Sequence, residues 1–135
     1  MNALFDHEKL QAYQEALGFV SWADGILQRI AKTLAVSNQL DRASTSIPLN
    51  IAEGNGKYTP SDRCRFFDTA RGSVLECAAC LDVLAAKKIM TAEEIQPGKE
   101  KLRKIVSMLV GLIRSNSPDR LHEDLACYVA EEKKD

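Results

Sequence analysis

The sequence has no apolar run near the roughly 20 residues that a membrane-spanning helix needs. Its first residues, MNALFDHEKL, lack both the basic start and the apolar core of a secretory signal peptide. It also has no excess of one charge, because 18 Lys and Arg face 19 Asp and Glu, for a formal net charge of -1. These absences predict a cytoplasmic protein without a membrane partner. They also exclude a general electrostatic attraction to nucleic acid, which would depend on a local basic patch.

Residues that commonly bind metals or act as nucleophiles are few. The two histidines, His7 and His122, lie near opposite ends of the chain. In a cytoplasmic protein the four cysteines are expected to be thiols: Cys64, Cys77, Cys80 and Cys127. Cys77-x-x-Cys80 has no second pair, so we predict no metal, no cofactor, no catalytic residue and no enzyme activity. The alternative interpretation is a metal-binding or redox protein that uses Cys77 and Cys80.

Strict alternation of apolar and polar residues, which indicates strands, is also absent. Instead, apolar residues recur at intervals of three and four, which is typical of helices packed through one face. The four stripes are Leu10, Tyr13, Leu17, Val20, Leu27, Ala31 and Leu34; Leu40, Ala43, Ile47, Asn50 and Gly54; Phe67, Ala70, Val74, Cys77, Leu81 and Leu84; and Ile95, Leu102, Ile105, Leu109 and Leu112. With short connections, they predict an all-α, antiparallel up-down-up-down four-helix bundle over residues 1–117. Residues 118–135 are expected to form a short C-terminal extension that is helical or frayed.

Local signals predict where the helices begin and end. The first helix is expected over about residues 6–34. Ser37 and Asn38 are expected to cap the second, which Pro48 should kink and Gly54-Asn55-Gly56 should end in a left-handed conformation. The third helix is predicted from Pro60 to about residue 89. The fourth is expected near residue 96, because Pro97 and Gly98 complicate the turns that follow the capping box at Thr91.

Two surfaces predict self-association. A second apolar stripe follows the first helix, so more of this helix is apolar than one neighbour would cover. The third helix has a face of glycine and alanine that another backbone could approach closely, although alanine is also simply a good helix former. The candidate subunit-contact residues on these two helices are Phe19, Trp22, Ile26, Gly72, Ala79 and Ala86.

Two stretches resemble a known family. The run LDRASTSIPLNIAEG at residues 40–54 and the run FFDTARGSVLE at residues 66–76 are similar to signatures of a family of four-helix bundle proteins. That family was first described from reading frames in intervening sequences of bacterial 23S ribosomal RNA genes, and the resemblance covers roughly residues 8–114. The residues that carry it are Arg42, Ser46, Pro48, Asn50, Glu53, Gly54, Arg71, Gly72 and Ser73.

The resemblance implies an antiparallel bundle that assembles as a ring-shaped homopentamer, and it implies no known reaction. A related group, the accessory variability proteins of diversity-generating retroelements, is associated with a reverse transcriptase and nucleic acid. Those proteins are basic, whereas this chain is not. We therefore predict a non-enzymatic, self-assembling scaffold or adaptor that binds RNA, DNA or a nucleoprotein through a local cluster. The candidate contacts are Arg42, Lys57, Arg63, Arg65 and Arg71, with solvated or paired side chains as the alternative.

Overall fold

A computed structural model of the chain describes residues 3–116, which form four helices in series. A short 3-10 turn, Asp6–Lys9, precedes α1 (Gln11–Arg29), α2 (Ala35–Asn55), α3 (Pro60–Ala86) and α4 (Ala92–Asn116). Each helix packs on the next, and α4 packs back on α1. The predicted all-α four-helix bundle is confirmed, and the described part of the chain contains no strand. The predicted extension at residues 118–135 lies outside the described residues.

The core lies between the four helices, and each helix presents one apolar stripe to it. The largest fully buried side chains are Phe19, Leu40, Ile47, Ile51, Phe67, Leu81, Leu84, Leu102, Ile105, Leu109 and Ile113. The stripe of α4 ends at Ile113 rather than at the predicted Leu112, which is only partly buried. None of the four helices is long and apolar enough to span a bilayer.

The orientation of α1 corrects one prediction. Phe19 and Ile26 lie in the core of the single chain, so their assignment to a subunit contact is wrong. The buried stripe is the second one, Ala12, Ala16, Phe19, Ala23 and Ile26, in which three alanines accompany the two larger residues and let neighbouring helices approach closely. Trp22 is half-buried, with its ring centroid 5.7 Å from that of Phe19, and its indole also packs against Gly98 of α4. Both contacts lie within the chain, and the assignment of Trp22 to a subunit contact stays a prediction.

Several helices begin or end a few residues from the predicted positions. α1 ends at Arg29, and α2 begins at Ala35 without a side-chain cap, so Ser37 is a buried residue inside the helix. The capping box before α4 is confirmed, because the Glu94 N–H donates to Thr91 Oγ1 at 3.1 Å and the Thr91 N–H donates to Glu94 Oε1 at 2.9 Å. α4 therefore begins directly after it, at Ala92, and Pro97 lies inside the helix, as Pro48 does in α2. The capping box thus marks the start of α4 correctly, whereas Ser37 and Asn38 do not mark the start of α2.

The α3–α4 turn contains the one non-glycine residue with a positive φ between residues 3 and 116. Lys88 has φ 60° and closes α3 in a Schellman motif. In this motif the Ile89 N–H donates to the Leu84 carbonyl and the Lys88 N–H donates to the Ala85 carbonyl, both at 3.0 Å. By contrast, Gly56 ends α2 at φ -84°, so the predicted left-handed conformation after α2 is wrong.

Candidate functional site

Gly54 lies where α2 comes closest to α3. A β-carbon at this position would lie 2.9 Å from Phe66 Cβ and 2.9 Å from Phe67 Cε1, which is closer than carbon atoms can pack. The glycine of the signature therefore has a packing role, since any side chain there would push the two helices apart.

Three other signature residues form a hydrogen-bonded network between α2 and α3. Ser73 Oγ donates to Ser46 Oγ at 2.9 Å, and Asn50 Nδ2 donates to both the carbonyl and the Oγ of Ser46, each at 2.9 Å. Arg42 and Glu76 line a surface groove between α2 and α3 together with Ser46 and Ser73. Because the network joins two helices through polar groups that satisfy each other, it fixes their relative position along the bundle axis.

The remaining signature residues of α2 and α3 differ in their exposure. Pro48 is buried inside α2, and Glu53 and Gly72 are exposed. Arg71 Nη2 lies 3.8 Å from Asp68 Oδ1, one turn earlier on α3, and both side chains are partly buried. The signature is therefore mainly a description of how α2 and α3 pack.

The structure brings together three of the five predicted nucleic-acid contacts, Lys57, Arg63 and Arg65, which we call the junction cluster. Arg63 donates to the Lys57 carbonyl at 3.5 Å and to Asn55 Oδ1 at 3.3 Å, so its guanidinium holds the α2–α3 turn. Lys57 Nζ and Arg65 Cζ lie 4.9 Å and 5.2 Å from the centroid of the Phe66 ring. Both cations can therefore be held near one aromatic face.

Arg42 and Arg71 are not part of the junction cluster. Arg42 lies 13 residues before Asn55, the last residue of α2, which places it roughly 20 Å along the helix from the turn. Arg71 lies 11 residues after Pro60, the first residue of α3, which places it roughly 16 Å along that helix from the turn, beside Asp68. The prediction of a five-residue basic cluster is therefore wrong for these two positions.

Aromatic residues accompany the junction cluster, and the sequence interpretation missed them. Tyr58 lies in the turn between α2 and α3 and is 99% exposed, and Phe66 lies half-buried in the first part of α3. The sequence does contain a signal for Tyr58: it is an aromatic residue next to a lysine in a short polar connection between two helices. No apolar stripe of either helix includes this position, so its exposure could have been predicted.

A second surface lies on the outer side of α3, which we call the α3 outer face: Gly72, Leu75, Ala79, Val83 and Ala86. All five are exposed, Leu75 at 53% and Val83 at 39%. The only charged residues among the exposed positions of this stretch are Glu76 and Asp82, and Asp82 Oδ1 accepts a hydrogen bond from Lys99 Nζ at 2.7 Å. The three predicted contact residues on α3 are thus available at the surface.

The cysteine pair lies in the core. Burial raises the pKa of the Cys77 thiol to about 12, with further contributions from Cys80 and Glu76, and burial also raises the pKa of Cys80. Both thiols stay protonated near neutral pH, and the protonated form is a poor nucleophile and metal ligand. Within residues 3–116, no group of three or more His, Cys, Asp or Glu side chains could hold a metal ion. Cys127 and His122 lie outside the described residues.

Comparisons with known proteins agree with this architecture. The crystal structure of a protein with unknown function from the S23 ribosomal protein family of Bacteroides thetaiotaomicron, at 1.70 Å resolution, is similar in fold. The TM-score is 0.71 with 21% sequence identity, over 76% of this chain and 98% of the other. A search of curated proteins finds no match. The family model described as 23S rRNA-intervening sequence protein matches residues 8–111. Because this match spans more than half of the sequence, the chain belongs to the 23S rRNA-intervening sequence protein family.

Proposed function

We propose that this protein is a non-enzymatic scaffold that assembles with copies of itself and binds nucleic acid or a nucleoprotein. Assembly would use the α3 outer face, and binding would use the junction cluster. Two features support the absence of catalysis: the buried, protonated thiols, and the use of the signature side chains for packing between α2 and α3.

The α3 outer face is the observation that carries the assembly proposal. Its residues are small or apolar over about four turns of helix, although an exposed helix face normally has charged residues. Leu49 of α2 is another large apolar side chain at the surface, 62% exposed, and it lines a groove with Ser46. Burying each square ångström of such surface is worth about 25 cal/mol, so several hundred square ångströms would offset the cost of association.

Repetition of the junction cluster around an assembly supports the nucleic-acid part of the proposal. A single cluster is small, and Asp62 lies 3.7 Å from Arg65, so one subunit would bind phosphate groups weakly. Copies held at fixed spacing bind one strand together, and the effective concentration of the second site then raises the overall affinity. Assembly and nucleic-acid binding are therefore linked in this proposal, and each has its own test.

The assembly proposal predicts a mass several times the 14.9 kDa of one chain when the protein is measured by light scattering. Ala79→Glu should reduce the mass to that of a monomer, because it places a carboxylate in the centre of the α3 outer face. Ser107→Glu is the matched control, because Ser107 is an exposed residue of α4 and the substitution adds the same charge outside the α3 outer face. A monomeric wild-type protein at micromolar to millimolar concentration would reject the assembly proposal.

The nucleic-acid proposal predicts a specific loss of salt dependence. In fluorescence anisotropy with labelled RNA, Lys57→Gln with Arg65→Gln should weaken binding and reduce the slope of log affinity against log salt by about 0.7–0.9 per side chain removed. Lys87→Gln with Lys88→Gln removes the same charge at the α3–α4 turn, the opposite end of the bundle, and should leave binding nearly unchanged. Equal effects of the two double variants would show that the junction cluster is not the binding site.

A further inference from the structure

The turn between α2 and α3 holds an exposed aromatic ring on an anchored backbone. The Lys57 N–H donates to the Gly54 carbonyl at 3.2 Å, and Arg63 donates to the Lys57 carbonyl from the other side of the turn. The Asp62 N–H donates to Thr59 Oγ1 at 3.1 Å and caps α3. Tyr58 lies between these anchors, yet its side chain is 99% exposed. The turn thus fixes the backbone on both sides of Tyr58 and leaves its ring free of packing contacts.

The cations near Tyr58 are positioned as well. Lys57 and Arg65 both lie over the Phe66 ring, within the distance of a cation–π interaction. This contact restricts two long side chains that would otherwise sample many rotamers, so less entropy is lost when they bind an anion. An exposed ring that follows one of two held cations in the chain resembles the arrangement that proteins use for a nucleic-acid strand with unpaired bases.

We propose that Tyr58 stacks on an unpaired base of single-stranded nucleic acid while Lys57 and Arg65 contact the neighbouring phosphates. This inference rests on the nucleic-acid binding proposed above and names the form of nucleic acid that the site takes. A duplex is the poorer partner, because its bases are already stacked on one another and offer no free face to the ring.

Nearby carboxylates leave the site with little net positive charge. Glu53 lies four residues before Lys57, and Asp62 lies 3.7 Å from Arg65. Two phosphate contacts on a single strand give a slope of only about -1.4 in log affinity against log salt. Phosphate contacts alone are therefore weak here, and the stacked base supplies a larger share of the affinity than in a strongly basic site.

The test compares an unstructured 12-nucleotide RNA with a 12-base-pair duplex of the same composition, by fluorescence anisotropy at about 50 mM salt. Wild-type protein is expected to bind the single strand about tenfold more tightly than the duplex. Tyr58→Ala should weaken single-strand binding by at least about fivefold, which corresponds to the lower range of stacking on one base, and should leave duplex binding unchanged. Tyr58→Phe should bind like wild type, because it keeps the ring.

Tyr58→Leu is the matched control for a merely apolar contact, since it keeps much of the volume and loses the aromatic face. It should resemble Tyr58→Ala. Retained binding by Tyr58→Leu, or equal binding of single strand and duplex with no effect of Tyr58→Ala, would overturn the stacking inference while the proposed nucleic-acid function stands. Binding to neither RNA would instead reject the proposed function. A loss of mass by light scattering in Tyr58→Ala would assign the ring to a subunit contact and overturn the inference.

Discussion

Replacing Gly54 with alanine is expected to lower the free energy of unfolding by about 3 kcal/mol, at the upper end of the usual cost of overpacking a core. The new methyl group would lie 2.9 Å from Phe66 Cβ and from Phe67 Cε1. A ring can turn away from such a contact, but Phe66 Cβ is attached directly to the backbone of α3. Relief therefore requires the two helices to separate, which also weakens their neighbouring contacts.

Urea unfolding at matched protein concentration measures this effect, and the midpoint of thermal unfolding should fall by roughly 10 °C. Gly25→Ala is the control, because a β-carbon there meets nothing within 4 Å and the variant should gain about 0.5–1 kcal/mol from the better helix former. Adding Phe67→Leu to Gly54→Ala should not restore stability, since the contact with Phe66 Cβ remains. Unfolding of Gly54→Ala at the wild-type midpoint would contradict the close packing of α2 on α3.

The sequence alone predicts the number of helices and most of their buried faces. In α3, for example, the predicted stripe Phe67, Ala70, Val74, Cys77, Leu81 and Leu84 is buried at every position. The buried face of α1 is harder to predict from the sequence, because two apolar stripes run side by side along this helix with the same spacing. The larger residues, such as Tyr13 and Leu17, suggested one core face, yet the structure buries the stripe that contains Ala16 and Ala23. Choosing between the two stripes requires knowing how closely the neighbouring helices approach α1, and the spacing of apolar residues does not give that distance.

The candidate site could be predicted only in part for a similar reason. Lys57, Arg63 and Arg65 are close in sequence and remain close in the structure, whereas Arg42 is separated from them by the length of a helix. Arg63 also has a structural role that charge alone does not reveal, because its guanidinium donates to a backbone carbonyl. Tyr58 is a candidate contact because its side chain is exposed. That exposure depends on the path of the turn between α2 and α3, which the amino-acid composition does not determine.

The second large effect is expected at Gly98, where α4 packs against the Trp22 indole. A β-carbon at this position would overlap the outer edge of the Trp22 ring, so Gly98→Ala must move the indole. Trp22 is half-buried and packs on Phe19, so the ring can swing outward but loses that contact when it does. We expect the free energy of unfolding to fall by about 2 kcal/mol, less than for Gly54→Ala because a side chain moves rather than a helix.

Trp22 is the single tryptophan of the chain, so its fluorescence reports the change directly. Gly98→Ala should shift its emission to longer wavelength as the indole becomes more exposed, whereas Gly111→Ala, at a position of α4 with nothing within 4 Å, should not. In a Trp22→Leu background, Gly98→Ala should cost little or even stabilise, because the overlapping ring is gone and alanine is the better helix former. A full cost of Gly98→Ala in that background would mean that the glycine is required by the backbone of α4, and that α1 and α4 do not pack through this pair.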